Sequence, residues 1–475
     1  MFNDLREFIK GADELGECMV VEGADWDLEI GAIASLRGEL PNCPLLLFDR
    51  IKGYDAGYRV ASNLFSTNKR IALALDLPLE AVGVELVRAF RNKIGEGIKL
   101  LPPVEVETGP VKENILTGDD IDLFKFPAPK WHEGDGGRYI GTGSTVITRD
   151  PDEGWVDLGC RRVQIHDKST ATIWFVPSTN GHIIKKKYED RGQTFPVAVS
   201  CGQEPALWIA AAWPIPWGVS EYDFAGGLKG EPIKVTKGVA TDLPIPATAE
   251  IVLEGEMVPE TRMEGPFGER AGYYASGARP EWSMKVKSIL YRNDPIIQGA
   301  PPHWLPSVWT LTHIQRAADL WNELDRQVPG IEGVWMVEEA AIASMVVISL
   351  RQQYPGHAKQ AALATCTCST FRNLQYVITV DEDINPSNIA EVLWAIGTRT
   401  DPEVSIDIIR GTFNAPTSPM LSPEKIKQGD LTLSTAIINA CKPYHWIKEF
   451  PPSIKTSPEL AHKTKQKWSE VFRSL

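Results

Sequence analysis

Short apolar runs separated by Gly and Pro fill residues 139–297, and this pattern constrains the fold more than any other feature of the chain. Turn residues end each run at about the length of a strand, before a typical helix would be complete. The pattern predicts a β-rich domain, and its many turns favour a barrel or a sandwich with binding residues on the loops. The predicted strands are residues 144–148, 155–164, 171–176, 196–201, 206–212, 249–256 and 283–291.

The segments on either side mix helical and strand-like patterns, which indicates α/β structure. The predicted helices there are residues 4–15, 79–93, 307–328 and 388–399, and the predicted strands are residues 44–48, 345–350 and 376–380. A chain of 475 residues is long enough for two or three domains. We therefore expect an α+β protein with an N-terminal α/β domain (1–117), a β-rich domain (118–306), a linking helix (307–328), a C-terminal α/β domain (329–450) and a tail helix (451–475).

The bulk properties exclude several classes of function. A formal charge of −13 argues against nonspecific binding to nucleic acid or to anionic membranes, which requires clustered Lys and Arg. The chain contains no apolar run of membrane-spanning length, and its N-terminus lacks the basic and apolar segments of a signal peptide. Seven scattered cysteines fit a reducing compartment, so we expect a cytoplasmic protein.

Residues 264–269 place two carboxylates, Glu264 and Glu269, on either side of Gly-Pro-Phe-Gly. Glycine and proline together predict a shaped turn rather than a helix or a strand. Taken alone, such a turn is usually a solvated connection. With Arg162 nearby, the two acids would instead form an acid–base network, in which the guanidinium keeps one carboxylate ionised while burial favours the protonated form of the other.

A second set, Asp157, His182 and Glu221, combines two carboxylates with an imidazole. These ligands suit a divalent cation such as Mn²⁺ or Mg²⁺ better than thiophilic zinc. Each residue also has an ordinary structural explanation, and spacing alone does not show that they converge. The same set fits a metal-dependent hydrolase that activates water.

Two longer motifs contain these residues, Pro-Ile-Pro-Trp-Gly-Val-Ser-Glu at 214–221 and Glu-Gly-Pro-Phe-Gly-Glu at 264–269. With Arg162, and in this order, they resemble the UbiD family of reversible decarboxylases. Residues 147–151 and 380–384 resemble the family as well, so the likeness extends over nearly the whole chain. It implies a split-barrel, flavin-reductase-like central domain and a prenylated FMN whose phosphate is held by Mn²⁺ (or Mg²⁺), with K⁺ beside it.

The resemblance also assigns roles to individual residues. The implied metal ligands are Asp157, His182 and Glu221, and the implied cofactor contacts are Cys160, Arg161, Arg162, His182, Trp213, Pro214 and Glu221. The implied catalytic residues are Arg162, Glu264 and Glu269. Two positions depart from the family pattern, because Asp157 stands where asparagine is common and Gln375 stands where many members carry lysine.

The mechanism that this likeness implies is decarboxylation through a covalent adduct of the substrate with prenylated FMN. Glu269 would donate the proton, while Arg162 and Glu264 would position the carboxylate. The chain has 15 tryptophans, and Trp208, Trp213, Trp217, Trp304 and Trp309 are predicted near the pocket, where flat faces suit an aromatic, phenolic or heteroaromatic acid. His303 and His313 are candidate contacts to a ring hydroxyl.

The implied partners are the small aromatic acid, carbon dioxide and a flavin prenyltransferase that supplies the cofactor. The C-terminal α/β part makes a homodimer or a larger even assembly the expected oligomer. The decarboxylase has two alternatives, the metal-dependent hydrolase and a flavin-binding module without lyase activity. The Arg162, Glu264 and Glu269 set argues against that module, because storage of a flavin requires no acid–base network.

Overall fold

The computed structural model describes residues 1–40, 42–95, 97–177, 179–304, 310–340, 344–368 and 373–472. These residues form a four-stranded, a nine-stranded, a three-stranded and a five-stranded sheet with helices packed around them. Within the described ranges, no helix is both long enough and apolar enough to cross a membrane. The α+β class predicted from the sequence is confirmed.

The N-terminal part is the predicted α/β segment. Its elements are α1 (Leu5–Glu14), β1 (Cys18–Glu22), α2 (Glu29–Gly38), β2 (Leu45–Asp49), β3 (Arg59–Ser62), α3 (Asn68–Leu75) and α4 (Val84–Ile94). Helix α1 begins where predicted, because the Asp4 carboxylate accepts the backbone N–H of Glu7 at 2.8 Å and caps the helix. Helix α4 begins later than predicted, since Gly83 has a φ of 56°, which is not helical.

The central part is built on the nine-stranded sheet. Its elements are β4 (Val104–Glu105), β5 (Asn114–Thr117), β6 (Tyr139–Gly141), β7 (Thr145–Arg149), β8 (Val156–Cys160), β9 (Val163–Ile165), β10 (Thr170–Ile173), α5 (Asn180–Asp190), β11 (Phe195–Cys201), α6 (Pro205–Ala211), α7 (Glu221–Lys229), β12 (Lys234–Lys237), β13 (Pro244–Pro246), β14 (Ile251–Glu264), β15 (Arg279–Tyr291) and β16 (Ile296–Gln298). The strand order is β6-β9-β10-β15-β14-β11-β7-β8, with β5 added beside β15. The sheet curls into a half-barrel, which confirms the β-rich central part.

One predicted strand, residues 206–212, is wrong, because this segment is helix α6. Pro205 occupies the first turn, where its missing N–H costs nothing, and the alanines that follow favour a helix. Every residue of α6 is buried, so the sequence shows no polar face from which a period of 3.6 could be recognised.

Helix α8 (Thr310–Asp325) leads into the C-terminal part. The predicted helix started at residue 307, and residues 307–309 lie outside the described ranges. The elements that follow are β17 (Ile331–Met336), β18 (Met345–Leu350), α9 (His357–Thr367), β19 (Tyr376–Asp381), α10 (Ile389–Arg399), α11 (Pro402–Ser405), β20 (Ile406–Phe413), α12 (Pro423–Lys427), β21 (Thr432–Asn439) and α13 (Pro458–Lys467). The strand order β17-β18-β19-β21-β20 gives the predicted C-terminal α/β sheet.

The three parts share their cores. Phe8 of α1, Phe90 of α4, Trp321 of α8 and Val347 of β18 belong to one continuous buried apolar cluster. Strand β16 leaves the central part to pair in parallel with β3 of the N-terminal sheet. Through the shared cluster, helix α8 packs between the N-terminal and C-terminal parts. The boundaries of the three domains stay predictions.

Candidate active site

The two glutamates of the 264–269 turn are buried, so this turn is not a solvated connection. Glu264 ends β14 and is 0% exposed, and Glu269 is 8% exposed. Between them, Gly265 has a φ of 85°, a conformation that glycine adopts without strain. The turn therefore directs both carboxylates into the protein.

Arg162, two residues beyond β8, binds both glutamates. Its Nε and Nη2 donate to the two oxygens of Glu264, and its Nη1 donates to Glu269 Oε1, each at 2.7 Å. Nη1 and Nη2 also donate to Ser276 Oγ at 3.4 Å, so each N–H of the guanidinium has a partner. Burial alone would lower the pKa of Arg162, but the charges of Glu269 and Glu264 outweigh it and raise that pKa.

Two members of this network were not predicted from the sequence. The Ser276 hydroxyl donates to Glu269 Oε1, and the Tyr139 hydroxyl donates to Glu264 Oε1 at 3.4 Å. Burial, with the Glu264 charge adding to it, raises the pKa of Tyr139, which therefore stays a neutral donor. A lone serine in a loop and a lone tyrosine on a strand belong to no motif with a recognisable spacing, so no sequence signal indicates them.

The turn is held in place by the segment that precedes β6. Asp135 Oδ1 accepts the backbone N–H of Gly268 at 3.0 Å, and Gly136 N–H donates to the Pro266 carbonyl at 2.7 Å. A Cβ at position 136 would lie only 2.1 Å from the Gly265 oxygen, so only glycine allows this close approach. The position of Glu269 thus depends on contacts far away in sequence.

Asp157 and Glu221, predicted as metal ligands, lie near each other in the interior. Asp157 on β8 is 2% exposed and Glu221 at the start of α7 is 3% exposed. Burial and the neighbouring Asp157 charge raise the pKa of Glu221, although Glu221 Oε2 accepts the Leu158 N–H at 2.7 Å. Two buried carboxylates that repel each other are a donor set that a divalent cation would stabilise.

His182, the third predicted ligand, lies in the first turn of α5, and its Nδ1 is 3.3 Å from the Phe175 carbonyl oxygen. Arg161 Nη2 donates to Asp157 Oδ2 at 3.1 Å. In the described part of the chain, no three His, Cys, Asp or Glu side chains are arranged as a metal site. The ligand set of Asp157, His182 and Glu221 therefore stays a prediction.

A cavity of about 300 Å³ opens beside Arg162 and Glu269. Its volume is at the lower end of the range for small-molecule sites. The described residues lining it include four arginines, Arg161, Arg162, Arg270 and Arg316, but a single carboxylate, Glu269. Thr417 and its neighbours from the C-terminal part close one side. This excess of positive charge suits an anionic ligand, such as a phosphate or a carboxylate.

The predicted cofactor contacts divide into two groups. Cys160, Arg161 and Arg162 line the cavity, and burial raises the pKa of the Cys160 thiol to about 12, which makes it a poor nucleophile. The other four, His182, Trp213, Pro214 and Glu221, are not among the described residues that line it. The Trp213 indole instead donates to Asp319 Oδ2 at 2.8 Å and lines a separate cavity of about 260 Å³.

The described part of the cavity wall contains two aromatic residues, Phe267 of the 264–269 motif and Trp174, which the sequence did not indicate. Trp174 lines the cavity, and the Arg162 guanidinium lies 4.6 Å from the centroid of its ring. The predicted tryptophans are elsewhere: Trp208 is in the core, Trp217 and Trp304 are exposed, and Trp309 lies outside the described residues. His303 is a buried histidine whose Nε2 is 3.0 Å from Asn63 Oδ1.

Three family models describe the chain in sequence order. They are the N-terminal, Rift-related and C-terminal domains of 3-octaprenyl-4-hydroxybenzoate carboxy-lyase (UbiD), which match residues 10–90, 103–303 and 310–440. Among curated proteins, a phenolic acid decarboxylase of Bacillus subtilis is 32% identical, and the match covers 90% of each chain.

Solved structures give the same result. The vanillic acid decarboxylase of Sedimentibacter hydroxybenzoicus in open form is 27% identical with a TM-score of 0.83, and 99% of each chain is covered. The UbiD-class enzyme HmfF from Pelotomaculum thermopropionicum, in complex with FMN, is 28% identical with a TM-score of 0.85, over 98% of this chain and 100% of that one. An evolved dimeric form of HmfF in complex with prFMN has a TM-score of 0.81, at 27% identity over 97% of this chain and 98% of that one.

The earlier resemblance is thus confirmed over nearly the whole length, and the protein belongs to the UbiD family of carboxy-lyases.

Proposed function

We propose that this protein removes carbon dioxide, reversibly, from an aromatic, phenolic or heteroaromatic carboxylic acid with the help of prenylated FMN. The observation that carries the proposal is the buried ion-pair network of Arg162, Glu264 and Glu269 at the wall of a positively charged cavity. The similar proteins named as phenolic acid and vanillic acid decarboxylases support an aromatic acid as the substrate. Membership of a carboxy-lyase family favours this activity over a metal-dependent hydrolase.

The cavity suits the proposed cofactor in charge and chemistry. Arg161 and Cys160 would flank the flavin, and Asp157, Glu221 and His182 would hold Mn²⁺ or Mg²⁺ for its phosphate, with K⁺ beside it. When bound, prenylated FMN supplies an electrophilic carbon and a sink for the electron pair that decarboxylation releases. The FMN and prFMN complexes of HmfF support a flavin in this family.

Because the donors of Arg162 are already occupied, a substrate carboxylate would bind to it by replacing Glu269 at Nη1. Glu264 would keep Arg162 in place through its own two hydrogen bonds. A carboxyl that loses a cationic neighbour and gains an anionic one holds a proton more readily. Binding of the substrate would thus prepare Glu269 to protonate the product carbon, a contribution of roughly 10²–10⁴-fold in rate.

The test uses protein co-produced with a flavin prenyltransferase, the expected supplier of the cofactor. Visible absorbance and the mass of the extracted flavin report prenylated FMN, and a screen of benzoic, hydroxybenzoic, furoic, pyrrole and cinnamic acids reports release of the decarboxylated product. We expect turnover of at least one aromatic acid. Exclusive turnover of an aliphatic acid, or flavin-loaded protein that turns over no acid, would contradict the proposal.

Substitution of the proposed proton donor tests the role of Glu269. We expect Glu269→Gln to keep its flavin and metal content and to lose most of its turnover, by roughly 10²-fold or more. Glu281→Gln is a suitable control, because Glu281 is a partly buried acid on the neighbouring strand β15 that pairs with Lys185 at 3.5 Å. A Glu269→Gln enzyme with turnover close to wild type would show that another group delivers the proton.

We also infer an even homo-oligomer. One structure of HmfF is of a dimeric form. In this chain, strand β20 at the edge of the C-terminal sheet exposes Ile408 and Phe413, and helix α10 exposes Trp394. Light scattering of the purified protein is expected to give twice the chain mass or an even multiple of it, and a monomeric mass would contradict the inference.

A further inference from the structure

Two arginines of the cavity wall belong to none of the predicted sites. Arg270 directly follows Glu269, and Arg316 lies on α8. Arg270 Nη2 donates to Thr312 Oγ1 at 3.0 Å, and this hydrogen bond connects the loop of Glu269 and Arg270 to α8. Burial, together with the charge of Arg316, lowers the pKa of Arg270 to about 9. The two positive charges are therefore close enough to repel each other.

Arg316 has donors available to a ligand. It lines the cavity and is only partly buried, and within the described part of the chain it makes neither a hydrogen bond nor an ion pair. Its neighbouring acid, Asp319, accepts a hydrogen bond from Trp213 at 2.8 Å, and burial raises the pKa of Asp319 to about 7. Asp319 therefore compensates the charge of Arg316 incompletely.

His313 lies on α8, close enough to Arg270 and Arg316 for both charges to act on it. It is 1% exposed, and neither of its ring nitrogens has a hydrogen-bond partner among the residues that the structure describes. Burial, with contributions from Arg270 and Arg316, lowers the pKa of His313 to about 3, so its imidazole is neutral. His313 is not among the residues that line the cavity, so its neutral imidazole supplies neither a ligand contact nor a negative charge that would offset the two arginines.

Arg270 and Arg316 differ from the other two arginines of the cavity wall in the acids that act on them. Arg161 pairs with Asp157 at 3.1 Å, beside the proposed metal ligands, whereas the carboxylate whose charge acts on Arg270 is Glu269. Arg162 is already neutralised by Glu264 and Glu269. Arg270 and Arg316 therefore add positive charge on the side of the cavity where Glu269 lies and where the substrate would be protonated.

We propose that Arg270 and Arg316 form an anion subsite that binds a second negatively charged group on the ring of the substrate. The subsite rests on the proposed function, in which Arg162 holds the carboxylate that leaves as carbon dioxide. Arg316 offers planar N–H donors and Arg270 adds a second positive charge beside it, a combination suited to a carboxylate. The substrate class becomes aromatic acids with two anionic groups.

The test compares the binding of three ligands to the flavin-loaded enzyme: benzoate, isophthalate and monomethyl isophthalate. The last two have nearly the same size, but the ester has one negative charge fewer. Dissociation constants are measured by titration of the visible flavin spectrum for wild type, Arg316→Met and Arg316→Lys. Arg326→Met serves as the control, because Arg326 is an exposed arginine just beyond the end of α8 that does not line this cavity.

We expect wild type to bind isophthalate at least tenfold more tightly than the ester, since hydrogen bonds between charged groups contribute roughly tenfold or more. The preference should fall to about one in Arg316→Met, persist in part in Arg316→Lys and stay unchanged in Arg326→Met. If Arg316→Met does not fold, the wild-type preference and the Arg316→Lys result still decide the question.

Three results would overturn the subsite. Wild type could bind the diacid and the ester equally, Arg316→Met could weaken the binding of both to the same extent, or it could lose its flavin. The second result would mean that Arg316 holds the carboxylate common to both ligands, and the third that it holds the cofactor. Because binding is measured apart from turnover, an enzyme that prefers isophthalate but decarboxylates no acid would contradict the proposed function and leave the subsite standing.

Discussion

Replacing Glu264 by glutamine keeps the shape of the side chain and removes its charge, and so measures what that charge does for Arg162. Both oxygens of Glu264 accept from the guanidinium at 2.7 Å, and the side chain is fully buried. The NH₂ group of the glutamine amide donates hydrogen bonds but does not accept them. One of the two hydrogen bonds from Arg162 is therefore lost, and this NH₂ group faces an N–H group of the guanidinium. The buried guanidinium then keeps one carboxylate, Glu269.

Breaking a buried ion pair costs roughly 3–5 kcal/mol. Because Glu269 still compensates part of the charge, we expect the free energy of unfolding to fall by about 3 kcal/mol, at the lower end of that range. Turnover should fall by about 10²-fold, since a displacement of about 1 Å in a positioning group has an effect of that size. Flavin content should not change, because Glu264 does not line the cavity.

Stability is measured by urea denaturation, and turnover by release of the decarboxylated product. Glu260→Gln is the control, because Glu260 lies on the same strand, β14, but is exposed and pairs with Lys285 at 2.9 Å on the surface. Exposed pairs contribute little, so the control should resemble wild type. Wild-type turnover in Glu264→Gln, with stability within about 0.5 kcal/mol of wild type, would refute the positioning role.

Two further predictions concern the support of the site and the C-terminal part. Gly136→Ala should lower the free energy of unfolding by about 1–3 kcal/mol, because its Cβ would lie 2.1 Å from the Gly265 oxygen, whereas Gly397→Ala in α10 meets no atom within 4 Å and should not destabilise. Thermal unfolding compares the two variants, and equal behaviour would contradict the argument. Burial opposes ionisation of Asp383, but hydrogen bonds from Arg399 and a lysine lower the pKa of Asp383 to about 2. The stabilisation of the folded state by ionised Asp383 should be present above pH about 4 and be lost as the pH falls towards 2. Asp383→Asn should therefore lose less of its free energy of unfolding than wild type over that pH range. The free energy of unfolding is measured by urea denaturation between pH 2 and pH 5, and the same pH dependence in Asp383→Asn and wild type would contradict this role of Asp383.

The sequence predicted much of the fold because many local signals agree with the tertiary structure. Asp4 caps α1, and the run that predicted a strand at 345–350 is β18. Two predictions differ from the structure: the predicted strand 155–164 is divided into β8 and β9, and α6 was predicted as a strand. The side chains of α6 are buried all round, so packing rather than an amphipathic pattern decides its conformation.

For the site, the chemical groups and the turn between Glu264 and Glu269 could be recognised from the sequence. The contacts of Arg162 with both acids, the addition of Tyr139 and Ser276, and the place of Trp213 in a separate cavity could not. These contacts depend on strand register and on packing between segments that are distant in sequence. Arg270 and Arg316 became a candidate subsite for the same reason: their mutual repulsion exists only after folding has brought the loop of Glu269 and Arg270 against α8.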